Sequence, residues 1–146
     1  MQGTVERIRV FPAKGETGKD LAEGRFVENS GLEGDFHAVG GERQISLLLA
    51  ESREQITDAK ETGLCFNRFN ENITIRGFSS PVLKPGLHLS SGDVILEISG
   101  EMKHCHEECK LFEKGKRCSF AGQNLFARVI KSGLIRVGDR IGLLQE

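Results

Sequence analysis

Short runs in which apolar and polar residues alternate recur along the chain, as expected for strands with one buried face. In residues 4–11, Val5, Ile8 and Val10 alternate with charged residues, and the run ends at Phe11 before a proline. Residues 44–50 are almost entirely apolar and predict a fully buried strand. Further strands are predicted at residues 25–28, 72–77, 87–89, 93–99, 126–130 and 140–144.

One segment has the spacing of a helix. In residues 51–62, Ile56 and Ala59 fall on the same helical face, and Gly63 is suited to end the helix. The sequence therefore predicts one main helix at about residues 51–62, with only a few short helical turns elsewhere.

Glycine-rich and polar segments separate these elements. Residues 13–24 predict an exposed loop, and residues 31–41, which contain four glycines, predict a long turn. Many short strands with a single helix are typical of a mainly β domain, either a barrel or a sandwich. Without an internal repeat or a linker, residues 1–146 are predicted to form a single domain.

Charge and hydropathy narrow the range of partners. The 20 basic and 21 acidic residues nearly cancel, which argues against binding to nucleic acid or to anionic lipid through diffuse attraction. No apolar run approaches the roughly 18 residues of a membrane span. The N-terminal residues do not have the layout of a signal peptide, so we expect a cytoplasmic protein with reduced cysteines.

Soft and titratable side chains concentrate in one stretch, residues 103–118. The stretch contains three of the four cysteines and two of the four histidines: Cys105, Cys109, Cys118, His104 and His106. Such a density is difficult to explain by packing alone, so we expect the chemistry of the protein here.

Three interpretations of this stretch remain open on spacing alone. Cys105, Cys109, Cys118 and a histidine could complete a structural zinc site, since Zn²⁺ takes four such ligands. Alternatively, the surrounding lysines and Arg117 could stabilise a reactive thiolate that acts as a sulfur carrier or soft ligand. In the third interpretation the cysteines are small buried hydrophobes and the histidines lie on a solvated loop. For Cys65, between two apolar residues, we favour this last interpretation.

Several short motifs follow one another in a characteristic order along the chain. They begin with Gly-Leu-Glu-Gly-Asp-Phe-His-Ala at 31–38 and Glu-Asn-Ile-Thr at 71–74. They continue with Cys-His-Glu-Glu-Cys at 105–109, Phe-Ala-Arg-Val at 126–129 and Val-Gly-Asp-Arg-Ile at 137–141. This order resembles that of the MOSC domain, the module at the C-terminus of molybdenum cofactor sulfurases. The pattern is most similar to that of small stand-alone bacterial members.

The resemblance implies a distorted closed β-barrel that binds the molybdenum cofactor, molybdopterin, or carries sulfur on one cysteine. The family's cysteine maps onto Cys109, as catalytic residue and metal ligand, with Cys105 and Cys118 as further candidate ligands or a resolving partner. Arg43 and Arg76 are expected to bind the pterin phosphate, since a guanidinium fork suits phosphate oxygens.

The resemblance also implies a rim around the cofactor. Gly34, Asp35 and His37 are expected to shape and polarise it, and Asn72 to offer amide donors and acceptors. The alternatives are a surface ion pair for Arg43 and a turn residue at the start of a strand for Asn72. The chain departs from the family pattern at Phe36 and at residues 119–123, which affects the expected rim.

Three functions follow as expectations. The first is a sulfur carrier or cofactor-binding protein that works with molybdenum-cofactor biosynthesis proteins, molybdoenzymes or a cysteine desulfurase. The second is a zinc-stabilised interaction module without cofactor chemistry. The third is a component of a molybdenum-dependent reductase of N-hydroxylated compounds, which would need an electron partner. Pyridoxal phosphate is not expected on this chain, because in the family it belongs to a fused desulfurase domain.

Overall fold

The computed structural model describes residues 2–13, 17–36, 38–41, 44–50, 71–78, 84–101 and 124–144. Within these ranges the chain is almost entirely β-structure. The strands are β1 (Gln2–Val10), β2 (Lys19–Leu21), β3 (Glu23–Val27), β4 (Gly31–Leu32), β5 (Ile45–Leu49), β6 (Ile73–Arg76), β7 (His88–Ser91), β8 (Val94–Glu101), β9 (Asn124–Lys131), β10 (Gly133–Arg136) and β11 (Arg140–Leu143).

Seven strands close into a barrel. The main sheet has the order β11-β7-β8-β9-β5-β6-β1-β2, and an additional pairing of β1 with β11 joins its ends. In that pairing Gln2 lies opposite Gly142, and Thr4 opposite Arg140. β2 pairs with the last residues of β1 but is not one of the seven barrel strands. A separate three-stranded sheet consists of β10, β3 and β4. All barrel neighbours are antiparallel except β5 and β6, which are parallel.

The barrel interior is filled by the apolar side chains that alternate along its strands. Val5 and Ile8 of β1, Leu47 of β5 and Leu96 of β8 are all fully or almost fully buried. Phe26 and Leu32 from the small sheet belong to the same core cluster. Because the interior is occupied by these side chains, any ligand site must lie at an end or on the outer wall.

Two ends of the barrel can be distinguished by the direction of the strands. At the first, which we call the Asn72 end, β5 and β6 begin and β1 stops, and the small sheet lies there. At the second, the exit end, β8 stops at Glu101 and β9 starts at Asn124, so the chain leaves and re-enters the barrel there. β6 also stops at the exit end, with Arg76.

The pattern-based predictions are largely confirmed. The predicted strands at 4–11, 44–50, 72–77 and 93–99 correspond to β1, β5, β6 and β8, and the closed barrel is confirmed. The predicted helix at 51–62 lies outside the described residues.

One prediction for a connecting segment is wrong, and one strand was not predicted. Residues 13–24 were expected to form only an exposed loop, yet they contain β2 and the start of β3. β2 is polar because it is an edge strand, held by backbone pairing to β1 and by an ion pair between Asp20 and Arg7. β10 was also not predicted, since only one buried residue, Ile135, marks it as a strand.

Candidate functional site

A knot of buried polar groups, centred on Asn72, holds the Asn72 end together. The Asn72 Oδ1 accepts hydrogen bonds from the backbone N–H (3.0 Å) and the Oγ (3.1 Å) of Ser46. The Asn72 Nδ2 donates to the backbone oxygen of Arg9 (3.1 Å) and to Oδ1 of Asp35 (3.0 Å). Asn72 is 1 % exposed, so these bonds lie away from water.

Asp35 ties the glycine-rich loop 31–41 to this knot. Its Oδ1 also accepts the backbone N–H of Phe11 at 2.7 Å, and the backbone N–H of Phe36 donates to the oxygen of Phe11. Gly34, directly before Asp35, has a φ of 91°, which glycine adopts without strain. The structure therefore brings three of the predicted rim residues, Gly34, Asp35 and Asn72, to one end of the barrel.

Beside the knot, a buried ion pair occupies the outer wall between β1 and β6. The terminal amino group of Arg9 donates to Oε1 of Glu71 at 2.9 Å, and Thr74 Oγ1 donates to Oε2 at 3.0 Å. The Arg9 guanidinium carbon lies 5.3 Å from the ring centre of Phe11. The Arg9 Nε is buried and has no hydrogen-bond acceptor among the described residues.

Arg76 is the remaining predicted site residue that the structure describes, and it lies at the other end of β6. Its Nε donates to Glu6 at 2.7 Å, and both side chains are close to half exposed. Glu6 falls at a register shift between Val5 and Arg7, where β1 has one residue more than β6. Four strand positions separate Arg76 from Asn72, which is about 13 Å. Arg76 therefore lies at the exit end, apart from the other three.

A row of ionisable side chains crosses three strands on the outer wall. Glu97 of β8 forms ion pairs with Arg128 of β9 and with His88 of β7, whose Nε2 lies 3.1 Å from Oε2. The hydrogen bond from Arg128 and its positive charge hold the pKa of Glu97 below its usual value, despite partial desolvation. Glu97 is thus kept as a carboxylate that can accept from His88.

We expect Arg128→Met to raise the pKa of Glu97 toward the ordinary value of 4.5. Because the pKa of Glu97 is lowered in the folded state, the wild-type pair stabilises the fold fully at pH values above the pKa of Glu97 in the unfolded chain. That stability is lost as the pH falls through the folded-state value. Carboxyl titration by NMR measures the shift, and acid unfolding curves should become less steep in the variant. An unchanged Glu97 titration in Arg128→Met would contradict this account.

The other predicted site residues, Cys105, Cys109, Cys118, His37 and Arg43, lie outside the described residues. Within the described ranges, no group of three or more His, Cys, Asp or Glu side chains is arranged to hold a metal ion. Sequence reasoning missed Ser46, Arg9 and Glu71. A signal for Ser46 was present, since a polar residue within an apolar strand must find buried hydrogen bonds.

The described residues are compatible with an anionic, phosphate-bearing cofactor. A guanidinium N–H suits a phosphate oxygen, and Arg9 retains one buried N–H without an acceptor among the described residues. Arg76 places a second guanidinium at the exit end. The described residues contain no cysteine, so a thiolate ligand would have to come from outside them.

Comparisons with known proteins agree on the architecture. YuaD from Bacillus subtilis superposes with a TM-score of 0.71 over 97 % of this chain and 94 % of its own, at 16 % identity. YiiM from Escherichia coli gives 0.60 over 100 % and 71 %, at 19 % identity. YiiM from Geobacillus stearothermophilus gives 0.64 over 98 % and 75 %, at 16 % identity. At these identities the likeness concerns the fold alone.

A search of curated protein sequences found no match to the chain. Among the described residues, no helix has the length and apolar character needed to cross a membrane. The family model of the MOSC domain, in contrast, matches residues 33–142, which is most of the chain. The segment matched contains the knot residues Asp35, Ser46 and Asn72. The chain therefore belongs to the MOSC domain family, which is related to the C-terminal domain of molybdenum cofactor sulfurases.

Proposed function

We propose that this protein binds the molybdenum cofactor and carries sulfur on Cys109, for sulfuration or delivery of the cofactor. The observation that carries the proposal is the MOSC match over residues 33–142, which includes the cysteine-rich stretch. Molybdenum is thiophilic, and a cysteine thiolate is a suitable soft ligand for it. Cys109 would be this thiolate or would hold a persulfide, with Cys105 and Cys118 beside it in sequence.

The two ends of the cysteine-rich segment support a location for the site. The chain leaves the barrel at Glu101 and returns at Asn124, and Arg76 lies at that same end. Arg76 would bind phosphate oxygens there, since its guanidinium is partly accessible. Gly34 would shape the rim from the Asn72 end, His37 would polarise the rim, and Arg43 would bind the pterin phosphate.

The bound cofactor would supply the metal and its dithiolene chemistry, and the chain would supply binding, orientation and a sulfur-bearing side chain. In this function the partners are a cysteine desulfurase as sulfur donor, and cofactor-biosynthesis proteins or a molybdoenzyme as recipient. The formal charge of −1 supports a function in which nucleic acid and membranes are not partners.

Cofactor retention tests the proposal. The protein is purified after incubation with a cofactor-loaded extract, and bound pterin and molybdenum are then measured. We expect wild type to retain both, and Cys109→Ala to lose most of the molybdenum because its thiolate ligand is removed. Cys65→Ala is the matched control, since it removes a cysteine outside the stretch and should retain both. Equal, low retention by wild type and Cys109→Ala would overturn the proposal.

Native mass spectrometry separates the proposal from its alternatives. An added sulfur atom on Cys109 would support sulfur carriage directly. About one tightly bound zinc per chain, lost together with the fold in Cys105→Ser, would instead identify a zinc-stabilised interaction module. That result would overturn the proposed function.

A further inference from the structure

We infer that Asn72 is a positioning residue, which fixes the glycine-rich loop against the barrel without itself contacting a ligand. The inference rests on the proposed function where it concerns cofactor retention. It differs from the expectation that the Asn72 amide serves a bound cofactor. It also concerns the geometry of the loop, and this part can be tested without any cofactor.

The hydrogen-bonding capacity of the Asn72 side chain is already used by the protein. A carboxamide offers two acceptor sites on its oxygen and two donors on its nitrogen. Asn72 Oδ1 accepts twice from Ser46, and Nδ2 donates once to Arg9 and once to Asp35, all at 3.0–3.1 Å. With 1 % of the residue exposed, a ligand could reach the amide only by breaking the knot.

The four bonds join segments that are far apart in sequence. Arg9 lies next to the last residue of β1, Ser46 lies in β5, and Asp35 lies in the loop 31–41. The backbone of Asn72 adds three bonds: its oxygen accepts from the N–H of Arg9, and its N–H is shared between the backbone oxygen and the Oγ of Ser46. The Asn72 side chain thus joins the loop to two barrel strands, in addition to the bonds that Asp35 and Phe36 make with Phe11. In the proposed function this loop carries His37, only two residues after Asp35.

Asn72→Asp would replace the two donors on Nδ2 with an acceptor oxygen. This oxygen would face Asp35 Oδ1 and the Arg9 carbonyl at about hydrogen-bond distance with no hydrogen between them. Two carboxylates so close repel each other when both are ionised, so the pKa of one of them is raised. The charged groups around this pair in the described structure are the Arg9 guanidinium and Glu71, which neutralise each other in an ion pair.

The knot in Asn72→Asp should therefore depend on pH in a way that the wild-type knot does not. The shared proton raises one carboxyl pKa above its unfolded value. Its stabilising contribution is present at acid pH and is lost as the pH rises through the raised value. A carboxamide has no such titration, so the pH profile distinguishes positioning by Asn72 from a general loss of packing.

The test compares amide hydrogen exchange and cofactor retention in wild type, Asn72→Asp and Thr74→Val at acid and neutral pH. We expect the Phe11 and Ser46 amides of Asn72→Asp to exchange about tenfold faster than wild type at neutral pH, the effect of losing one buried hydrogen bond. At acid pH the difference should become much smaller, because the shared proton restores one of the two donors of the amide. Molybdopterin retention should follow the same pH profile. Thr74→Val is the control, because it lies two positions further along β6 and outside the knot.

Ser46→Ala provides a second variant in case Asn72→Asp does not fold at neutral pH. It removes two of the hydrogen bonds around Asn72 and leaves the Nδ2 donors in place. If Asn72 positions the loop, the Phe11 amide should exchange faster and the cofactor should be retained less well in this variant too. Retention lost in Asn72→Asp at both pH values, with wild-type exchange, would identify a direct ligand contact and overturn the inference. If wild type itself retained no cofactor, the proposed function would fail, and the exchange measurements alone would decide on positioning.

Discussion

Gly3→Ala is expected to destabilise the protein by about 3 kcal/mol, because the new methyl group has no space at the barrel closure. A Cβ on Gly3 would lie 2.4 Å from the backbone oxygen of Arg76 and 2.7 Å from the ring of Phe78. Phe78 is 2 % exposed and belongs to the core, so its ring cannot simply move into solvent. The backbone oxygen lies in β6, which pairs with β1. Urea unfolding followed by circular dichroism measures the loss.

Gly92→Ala is the matched control for this prediction. Gly92 has a φ of 58°, and a Cβ there would meet nothing within 4 Å. The substitution should therefore cost only the left-handed backbone penalty of about 1–2 kcal/mol. If Gly3→Ala cost no more than Gly92→Ala, the contact between β1 and β6 would be less tightly packed than the distances indicate.

The strands were predictable where buried apolar residues alternate with exposed polar ones. β1 illustrates this, since Val5, Ile8 and Val10 are buried and the residues between them are mostly exposed. β5 was predictable for the opposite reason, because all its residues are buried and all except Ser46 are apolar. Local pattern failed for β2, whose pairing depends on the backbone of β1 rather than on its own side chains.

Closure of the barrel could not be derived from periodicity. It requires β1 to pair with β11 at the other end of the sequence, and alternation in either strand fits a sandwich equally well. The family resemblance supplied the barrel, because it carries information about long-range pairing that the local pattern lacks.

The candidate site was predictable as a set of residues but not as an arrangement. Asp35 and Asn72 were both selected as rim residues, and they prove to be hydrogen-bonded to each other across 37 positions of sequence. Arg76 was grouped with them, yet it lies at the opposite end of β6. Sequence spacing does not reveal this separation unless the strand and its direction are known. Cys109 and the loop 31–41 would form one pocket only if residues 102–123 extended from the exit end toward the Asn72 end.

Arg9→Met should also destabilise the protein by about 3 kcal/mol, because it leaves the buried carboxylate of Glu71 without its cationic partner. The side chains of Arg9 and Glu71 are only 17 % and 4 % exposed, so water cannot replace the lost contact. The methionine still fills space against Phe11, which limits the loss from packing. Combining Arg9→Met with Glu71→Gln should recover part of the stability, since the glutamine is neutral and still accepts from Thr74. Chemical unfolding of the two single variants and the double variant gives the coupling energy.

Arg7→Met supplies the control from the same strand. Arg7 also forms an ion pair, with Asp20, but its side chain is 50 % exposed and that of Asp20 is 62 % exposed. Solvent and salt screen an exposed pair, so removing it should change stability little. Equal effects of Arg7→Met and Arg9→Met would mean that burial of Glu71 does not determine the cost. A large loss confined to Arg9→Met would show that the pair beside the Asn72 knot stabilises this end of the barrel, because the carboxylate of Glu71 is kept from water and that of Asp20 is not.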